Sequence, residues 1–225
     1  MPSVNRSSRA MAAGLGVLAG LGGITHGVGE MLQGSVAPSG IIIYSWTQGP
    51  IAEYMGGEPA MTIVPNLLVT GILAILSGMA IVVWSAAFTR RRIGGSILVI
   101  LSVAMLLLGG GFAPPVMGIL AGFIGRGMGA RRRWWRERLS EGLRHFLSRA
   151  WTWVYAITLV DGIFLVVGSV LLVYLANLNA PDLFVGSFLV SVPLILLSAL
   201  TGAARDAERS PPAGEDSMQS GRPPG

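Results

Sequence analysis

The sequence predicts an all-α protein: a polytopic transmembrane helical bundle of about six spans, with a cytoplasmic amphipathic interfacial helix. Of its 225 residues, 52% are hydrophobic and only 12% are charged, whereas about a quarter of the residues in a soluble domain are charged. So few charged side chains cannot cover so much apolar surface in water. Apolar runs long enough to cross a hydrocarbon core of about 30 Å follow one another along the chain. Composition and run length therefore both indicate that lipid surrounds this protein.

Six apolar segments are the predicted spans. They lie near residues 10–29, 66–88, 93–108, 115–130, 152–176 and 183–203. A cleaved signal peptide is an alternative for the first segment, which follows Arg6 and Arg9. A re-entrant hairpin is an alternative for the fourth, because Arg126 interrupts its apolar run. The glycine and proline cluster GGGFAPP (109–115) ends the third segment.

Three further segments are predicted outside the spans. Residues 30–64 contain acids and aromatics but no arginine, which is typical of a structured extracytoplasmic loop. Within this loop, IIIYSW (41–46) is either a short strand or an interfacial segment. Residues 131–151 place apolar side chains opposite Arg and Glu at helical spacing, which predicts an amphipathic helix in the cytoplasmic interface. Residues 204–225, rich in Pro, Gly, Ser and charge, are predicted to be a disordered cytoplasmic tail after the bundle of residues 1–203.

The arginines predict the orientation of the bundle. All 16 basic residues are Arg, and in a six-span arrangement they fall on one side of the membrane. The two predicted outer loops, 30–64 and 177–182, contain none. Because Lys and Arg are in excess on the cytoplasmic side of membrane proteins, both termini are predicted to be cytoplasmic. Arginine without lysine is typical of GC-rich coding, so a bacterial plasma membrane is the expected location.

Asp161 is the most informative single residue, because it lies near the midplane of the predicted fifth span. A lone carboxylate at that depth is costly. It is either a proton, cation or substrate contact that faces the bundle interior, or a satisfied group that holds helices together. Arg126 is a candidate partner at similar depth, and the alternative is that Arg126 extends to the cytoplasmic interface. The sequence therefore offers Asp161 and Arg126 as intramembrane polar candidates.

His26 and Glu30 are four residues apart near the outer end of the first span, so they share a helix face. They offer two ligands to a divalent cation, and Glu53 or Glu58 of the outer loop is a candidate for completing the site. The alternative is that they are polar residues capping the span at the interface. The chain has no Cys and contains no HExxH, GxSxG or P-loop pattern. No cofactor is predicted, and an enzyme is not expected.

The predicted partners are lipids. Arg131, Arg132, Arg133 and Arg136 are predicted to contact anionic headgroups. Because the basic charge gathers where helices leave the bilayer, no nucleic-acid partner is expected. Stripes of small residues such as Gly16 and Gly20 favour close packing of helices. The packing is within the bundle, in a homo-oligomer or against a membrane partner.

Several stretches in the first half of the chain are distinctive. They are GITHGVGEMLQGSVAPSG, SWTQGPIAEYMGGEP, MTIVPNLLVTGIL and GGGFAPP. Through them the chain resembles a group of small bacterial multi-pass membrane proteins to which no activity is assigned. The resemblance implies no activity, so no functional residue follows from it.

The expected function is that of a small transporter or an accessory permease-like subunit. In this interpretation Asp161 faces a polar path and the outer loop covers its entrance. The alternative is a non-transporting membrane scaffold or sensor that recruits partners through its outer loop and its arginine-rich helix. An enzyme acting on lipid is a more distant third alternative.

Overall fold

A computed structural model describes residues 6–87, 93–126, 139–176 and 181–209, and this part of the chain is mainly helical. The helices are α1 (Arg6–Leu32), α2 (Gly49–Tyr54), α3 (Leu67–Ala87), α4 (Gly94–Leu107), α5 (Ala113–Arg126), α6 (Glu141–Ile163), α7 (Ser169–Ala176) and α8 (Pro181–Glu208). A π-helical segment, Phe164–Gly168, joins α6 to α7 without a break. Two short strands, β1 (Ile42–Tyr44) and β2 (Pro59–Met61), lie in the loop between α1 and α3.

Four helical segments of the described chain are long and apolar enough to cross a membrane. They are Arg6–Leu32, Leu67–Ala87, Glu141–Ala176 and Val185–Glu208. Helix α4 is apolar but has 14 residues, and α5 has the same length. At 1.5 Å per residue such a helix is about 21 Å long, shorter than a hydrocarbon core of about 30 Å. The predicted helical membrane fold is therefore confirmed in its coarse form, with four candidate spans.

Helix α1 lies at the centre of the fold, and α3, α5, α6 and α8 all pack against it. At two glycines of α1, the backbones of α1 and α3 approach each other closely. A Cβ atom built on Gly20 would lie 2.6 Å from the carbonyl oxygen of Gly78, and one built on Gly27 would lie 2.7 Å from that of Gly71. Such contacts are open only to residues without side chains. At these positions the small residues of α1 therefore serve packing within the chain.

The main apolar cluster lies along the N-terminal half of α1. Its buried members are Met11, Leu15, Ile81, Leu98, Met105, Ala121 and Ile195. These side chains come from α1, α3, α4, α5 and α8, so a single cluster joins the helices of the bundle. Outward-facing side chains are apolar as well, which fits helices whose outer surface meets lipid.

Helices α4 and α5 form an antiparallel hairpin beside α1, and their turn reaches the outer loop. The backbone N–H of Gly109 donates to the carbonyl of Met61 over 2.9 Å, and Leu108 pairs with Thr62. At the opposite end of the hairpin, a Cβ on Gly95 would lie 2.7 Å from the backbone N of Arg126. The hairpin thus begins and ends on the side of the protein opposite the outer loop.

Helix α6 differs from the predicted arrangement. It begins at Glu141, with the Ser140 hydroxyl accepting from the N–H of Leu143, and continues past Trp151 into the predicted fifth span. Because no proline occurs between Glu141 and Ile163, nothing in this segment stops the helix at Trp151. The described part of the predicted interfacial helix is therefore the first section of a longer helix that is a candidate span, while residues 127–138 lie outside the described residues.

The first and last helices are joined by a buried carboxylate. Asp206 of α8 accepts hydrogen bonds from the backbone N–H groups of Ser7 and Ser8, both at 2.9 Å, and from the Ser8 hydroxyl at 2.7 Å. The first N–H groups of a helix have no partner within the helix, and the positive end of the helix dipole favours an anion there. The residues 204–208, predicted as the start of a disordered tail, are consequently helical and tied to α1.

The close contact between α1 and α3 leads to a stability prediction. We expect Gly78→Ala to lower the thermal stability of the detergent-solubilised protein, because the new Cβ would lie 2.6 Å from the carbonyl oxygen of Gly20. Gly142→Ala is the matched control, since nothing lies within 4 Å of a Cβ at that helical position. There the exchange should be neutral or stabilising by up to about 1 kcal/mol. Equal melting temperatures for the two variants would contradict the packing described.

Candidate functional site

A chain of polar side chains is buried where the outer loop covers the end of α1. The Nδ1 atom of His26 lies 2.8 Å from the hydroxyl of Ser45, and that hydroxyl donates to Oε1 of Glu30 over 3.1 Å. On the other side of the ring, Nε2 of His26 lies 3.6 Å from Oε2 of Glu58. Glu30 and Ser45 are fully buried. The four residues are called the outer polar cluster below.

The two strands of the outer loop position Ser45 and Glu58, the two residues that the loop supplies to the cluster. β1 and β2 pair antiparallel, with Ile43 opposite Ala60. This pairing brings the end of β1 beside the start of β2, where the N–H of Ser45 donates to the carbonyl of Glu58 over 3.1 Å. The segment IIIYSW therefore contains a strand, one of its two predicted forms.

Glu58 is held in an unusual backbone conformation. Its φ of +52° lies in the left-handed region, and the preceding Gly56 and Gly57 have positive φ as well. The left-handed conformation costs a residue with a side chain about 1–2 kcal/mol. In this strained conformation the Glu58 carboxylate lies 3.6 Å from the ring of His26.

The turn between α4 and α5 forms the wall of the cluster. Gly109 and Gly111 both have positive φ, and both lie directly against cluster side chains. A Cβ on Gly109 would overlap the carboxylate of Glu30, and one on Gly111 would lie 2.6 Å from Cε1 of His26. Glycine is thus required here both by conformation and by space, which gives the sequence GGGFAPP a specific role.

The electrostatics of the cluster are set by burial. Burial raises the pKa of the Glu58 carboxyl to about 7, because removing a carboxylate from water disfavours its charged form. The second oxygen of Glu30, Oε2, is buried and has no hydrogen-bond partner among the described residues. A cluster with two carboxyls, an imidazole and an unused oxygen is suited to holding a proton.

The predicted metal site at His26 and Glu30 has Glu58 as a third nearby residue, but the three do not form a complete metal site. Within the described ranges, no group of three His, Asp or Glu side chains has an arrangement that could hold a metal ion. Glu53, the other candidate, is exposed on α2. The structure thus brings together three of the four predicted residues: His26 and Glu30 through hydrogen bonds to Ser45, and Glu58 at 3.6 Å from His26.

Asp161 lies in the middle of the bundle, in a different place from the outer polar cluster. Its neighbour Gly162 faces Leu18, which is near the centre of α1. One carboxylate oxygen, Oδ1, accepts a hydrogen bond from the hydroxyl of Ser187 on α8 over 2.5 Å. The other, Oδ2, is buried and has no partner in the described part of the chain. Asp161 is therefore half satisfied.

An open, mainly apolar groove of about 370 Å³ lies beside this carboxylate, between α6 and α8. It is lined by Asp161, Phe164, Asp182, Leu183, Gly186, Ser187 and Val190. The π-helical segment begins at Phe164, three residues after Asp161. A π-helical turn widens the helix locally and is frequent at functional sites.

The predicted arginine contacts have different outcomes. Arg126 is exposed in the last turn of α5, and among the described residues Asp161 is bonded to Ser187 and not to Arg126. The predicted lipid contacts Arg131, Arg132, Arg133 and Arg136 lie outside the described residues, so they stay predictions.

Ser45, Ser187 and Asp206 were not singled out from the sequence. Serine is common in apolar helices and loops, and nothing in its local pattern distinguishes a residue that bonds a distant carboxylate. Asp206 falls in a polar segment where an acid is unremarkable as sequence. No protein-family model, curated protein or solved structure matches the chain. The two candidate sites therefore rest on the geometry of this chain.

The burial of Glu58 leads to a pH prediction. A carboxyl whose pKa is about 7 when folded and 4.5 in the unfolded chain stabilises the fold fully only below pH 4.5, and that contribution is lost as the pH rises to about 7. Glu58→Gln is neutral at every pH. Its melting temperature, relative to that of the unchanged protein, should therefore rise between these two pH values, as measured by thermal unfolding in detergent.

Glu53→Gln is the control for this experiment, because it makes the same change of charge at an exposed position in the same loop. Its melting temperature relative to the unchanged protein should not vary over the same pH range. If the Glu58→Gln difference were also constant, burial would not control the protonation of Glu58.

Proposed function

We propose that the protein is a small multi-pass transporter of the bacterial plasma membrane, or an accessory permease-like subunit, with Asp161 in the path of the solute. The observation that carries the proposal is the half-satisfied carboxylate beside the groove between α6 and α8. An ionisable group is costly in the apolar interior of a membrane and is retained where it binds an ion, a proton or a substrate.

The geometry around Asp161 favours a cationic solute or a cationic group. Ser187 occupies only one oxygen of the carboxylate, and the other, which is buried, has no hydrogen-bond donor in the described part of the chain. The groove walls are mainly apolar, with Phe164, Leu183 and Val190 beside the carboxylate. An apolar wall strengthens the attraction between a carboxylate and a cation, because the local dielectric constant is low.

The proposed membrane arrangement has six spans, with α4 and α5 as the short pair and both termini cytoplasmic. The α4–α5 hairpin supports this arrangement, since it runs beside α1 from Gly95 to the outer loop and returns to Arg126. A short helix crosses a membrane where neighbouring helices cover it and its flanking arginine extends to the headgroups.

The transport proposal predicts a flux that depends on Asp161. We expect proteoliposomes containing the purified protein to take up sodium or the lipophilic cation tetraphenylphosphonium faster than empty liposomes. Asp161→Asn should reduce this uptake about tenfold or more, corresponding to the loss of about 1.4 kcal/mol or more of interaction. Glu141→Gln is the control, because it removes a carboxylate at an exposed position in the first turn of α6, outside the groove.

Equal uptake by the Asp161→Asn variant and the unchanged protein would remove Asp161 from the solute path. Absence of uptake for every cation tested would contradict the proposal that the protein transports a solute by itself. The proposal of an accessory subunit would then remain, because such a subunit needs its permease for flux. Correct insertion of each variant is checked by its melting temperature in detergent.

A scaffold or sensor is the second candidate, and an apolar surface on the outer loop favours it. Ile41, Ile42, Tyr44 and Ile63 are each more than half exposed, while Ile43 between them faces the loop core. Exposed apolar patches mark contacts with partners or with the membrane interface. A stoichiometric partner that co-purifies with the unchanged protein but not with an Ile42→Ser variant, without cation uptake, would favour the scaffold.

A further inference from the structure

We infer that Glu58, His26, Ser45 and Glu30 form a proton relay that connects the outer surface to a fully buried carboxyl group on α1. The inference concerns the outer polar cluster alone and does not depend on whether the groove at Asp161 carries a solute. Its basis is the order of the four side chains and the contacts between them.

The side chains are ordered from the surface inward. Glu58 is the outermost, with 21% of its side chain exposed, and Glu30 at the other end is fully buried. The inner two contacts, His26 to Ser45 and Ser45 to Glu30, are 2.8 and 3.1 Å long and have hydrogen-bond geometry. The contact from Glu58 to His26 is 3.6 Å and is the longest step. A small rotation of the partly exposed Glu58 side chain, or one bridging water, closes it.

The four side chains of the outer polar cluster can be joined by hydrogen bonds in two arrangements, which run in opposite directions. In the first, protonated Glu58 donates to Nε2 of His26, Nδ1–H of His26 donates to Ser45, and the Ser45 hydroxyl donates to the Glu30 carboxylate. In the second, protonated Glu30 donates to Ser45, Ser45 donates to Nδ1, and Nε2–H donates to the Glu58 carboxylate. His26 is neutral in both arrangements.

One concerted transfer converts the first arrangement into the second. The O–H bond of Glu58 breaks as an N–H bond forms at Nε2, the Nδ1–H bond breaks as an O–H bond forms at Ser45, and the original Ser45 proton moves to Oε1 of Glu30. Three protons move, and the net result is one proton carried from Glu58 to Glu30. The reverse transfer, from Glu30 back to Glu58, moves the same three protons in the opposite direction and restores the first arrangement.

The surroundings of the cluster keep the relay separate from other acids and bases. Its titratable groups are Glu58 of the loop and His26 and Glu30 of α1. Among the described residues, its neighbours include Gly109 and Gly111 of the α4–α5 turn and, beside Gly109, Thr70 on α3, none of which titrates near neutral pH. The hydroxyl of Thr70 is bonded to that of Thr62 over 3.0 Å and to the carbonyl of Asn66. A proton held by Glu30 therefore returns along the chain through which it came.

Infrared spectroscopy of the full-length protein in lipid nanodiscs tests the relay directly. A protonated carboxyl group gives a carbonyl stretching band that an ionised one lacks. We expect a band at neutral pH that is lost in Glu30→Gln and unchanged in the control Glu53→Gln. If Glu30→Gln removed no carboxyl band at neutral pH, Glu30 would not hold a proton there and the relay would be wrong.

The second measurement is the rate at which this band shifts when the protein is transferred to D₂O. Ser45→Ala should slow the shift by roughly a hundredfold, the scale by which a positioned acid–base group speeds proton transfer, and Glu53→Gln should leave the rate unchanged. Glu58→Gln should slow the band shift as well. This substitution is at the partly exposed end of the cluster, so it leaves the core intact. Exchange at the unchanged rate in both Ser45→Ala and Glu58→Gln would show that protons reach Glu30 by another route.

Discussion

The close approach of helix backbones around α1 is the constraint on which the rest of the structure depends. Gly20 and Gly27 allow α3 to lie directly against α1, and without that contact the outer loop, which follows α1 and leads into α3, would have no fixed base. In lipid there is no hydrophobic force between helices, so packing of this kind and buried hydrogen bonds must hold the bundle together. The Asp206 carboxylate supplies such bonds at the N-terminal end of α1, and the outer polar cluster supplies them at the C-terminal end.

The two candidate sites differ in a way that bears on function. Asp161 lies on α6 and lines an open groove between helices, while its unpartnered oxygen Oδ2 is itself buried. The outer polar cluster lies under the loop and against the α4–α5 turn, where Glu30 has no exposed surface. A groove of the first kind suits a solute, while an enclosed chain of hydrogen bonds suits only a proton. The proposed solute path at Asp161 and the proposed proton relay therefore involve different residues.

The sequence predicted the features that depend on the chain locally. Run length and composition are enough to identify apolar helices, because burial of an apolar segment in lipid needs no particular partner. The spacing of His26 and Glu30 predicted their shared face, and the acids of the outer loop pointed to Glu58. The contacts of Ser45, Ser187 and Asp206 could not be predicted, since each joins residues far apart in the chain. The continuity of α6 past Trp151 was missed because an amphipathic segment has the same periodicity in the interface as in a spanning helix.

The most direct test of the central position of α1 is a disulfide between the first and last helices. A Cβ atom on Gly202 of α8 would lie 3.9 Å from the Cβ of Ser7 on α1, within the range of about 3.5–4.5 Å found in disulfides. The chain contains no other cysteine, so oxidation of a Ser7→Cys, Gly202→Cys double variant in membranes should give an intramolecular crosslink that changes its mobility on a denaturing gel. A Ser7→Cys, Gly142→Cys variant should give none. If the first pair failed to crosslink, or the second did so equally well, α8 would not return to the start of α1 and the bundle described would be wrong.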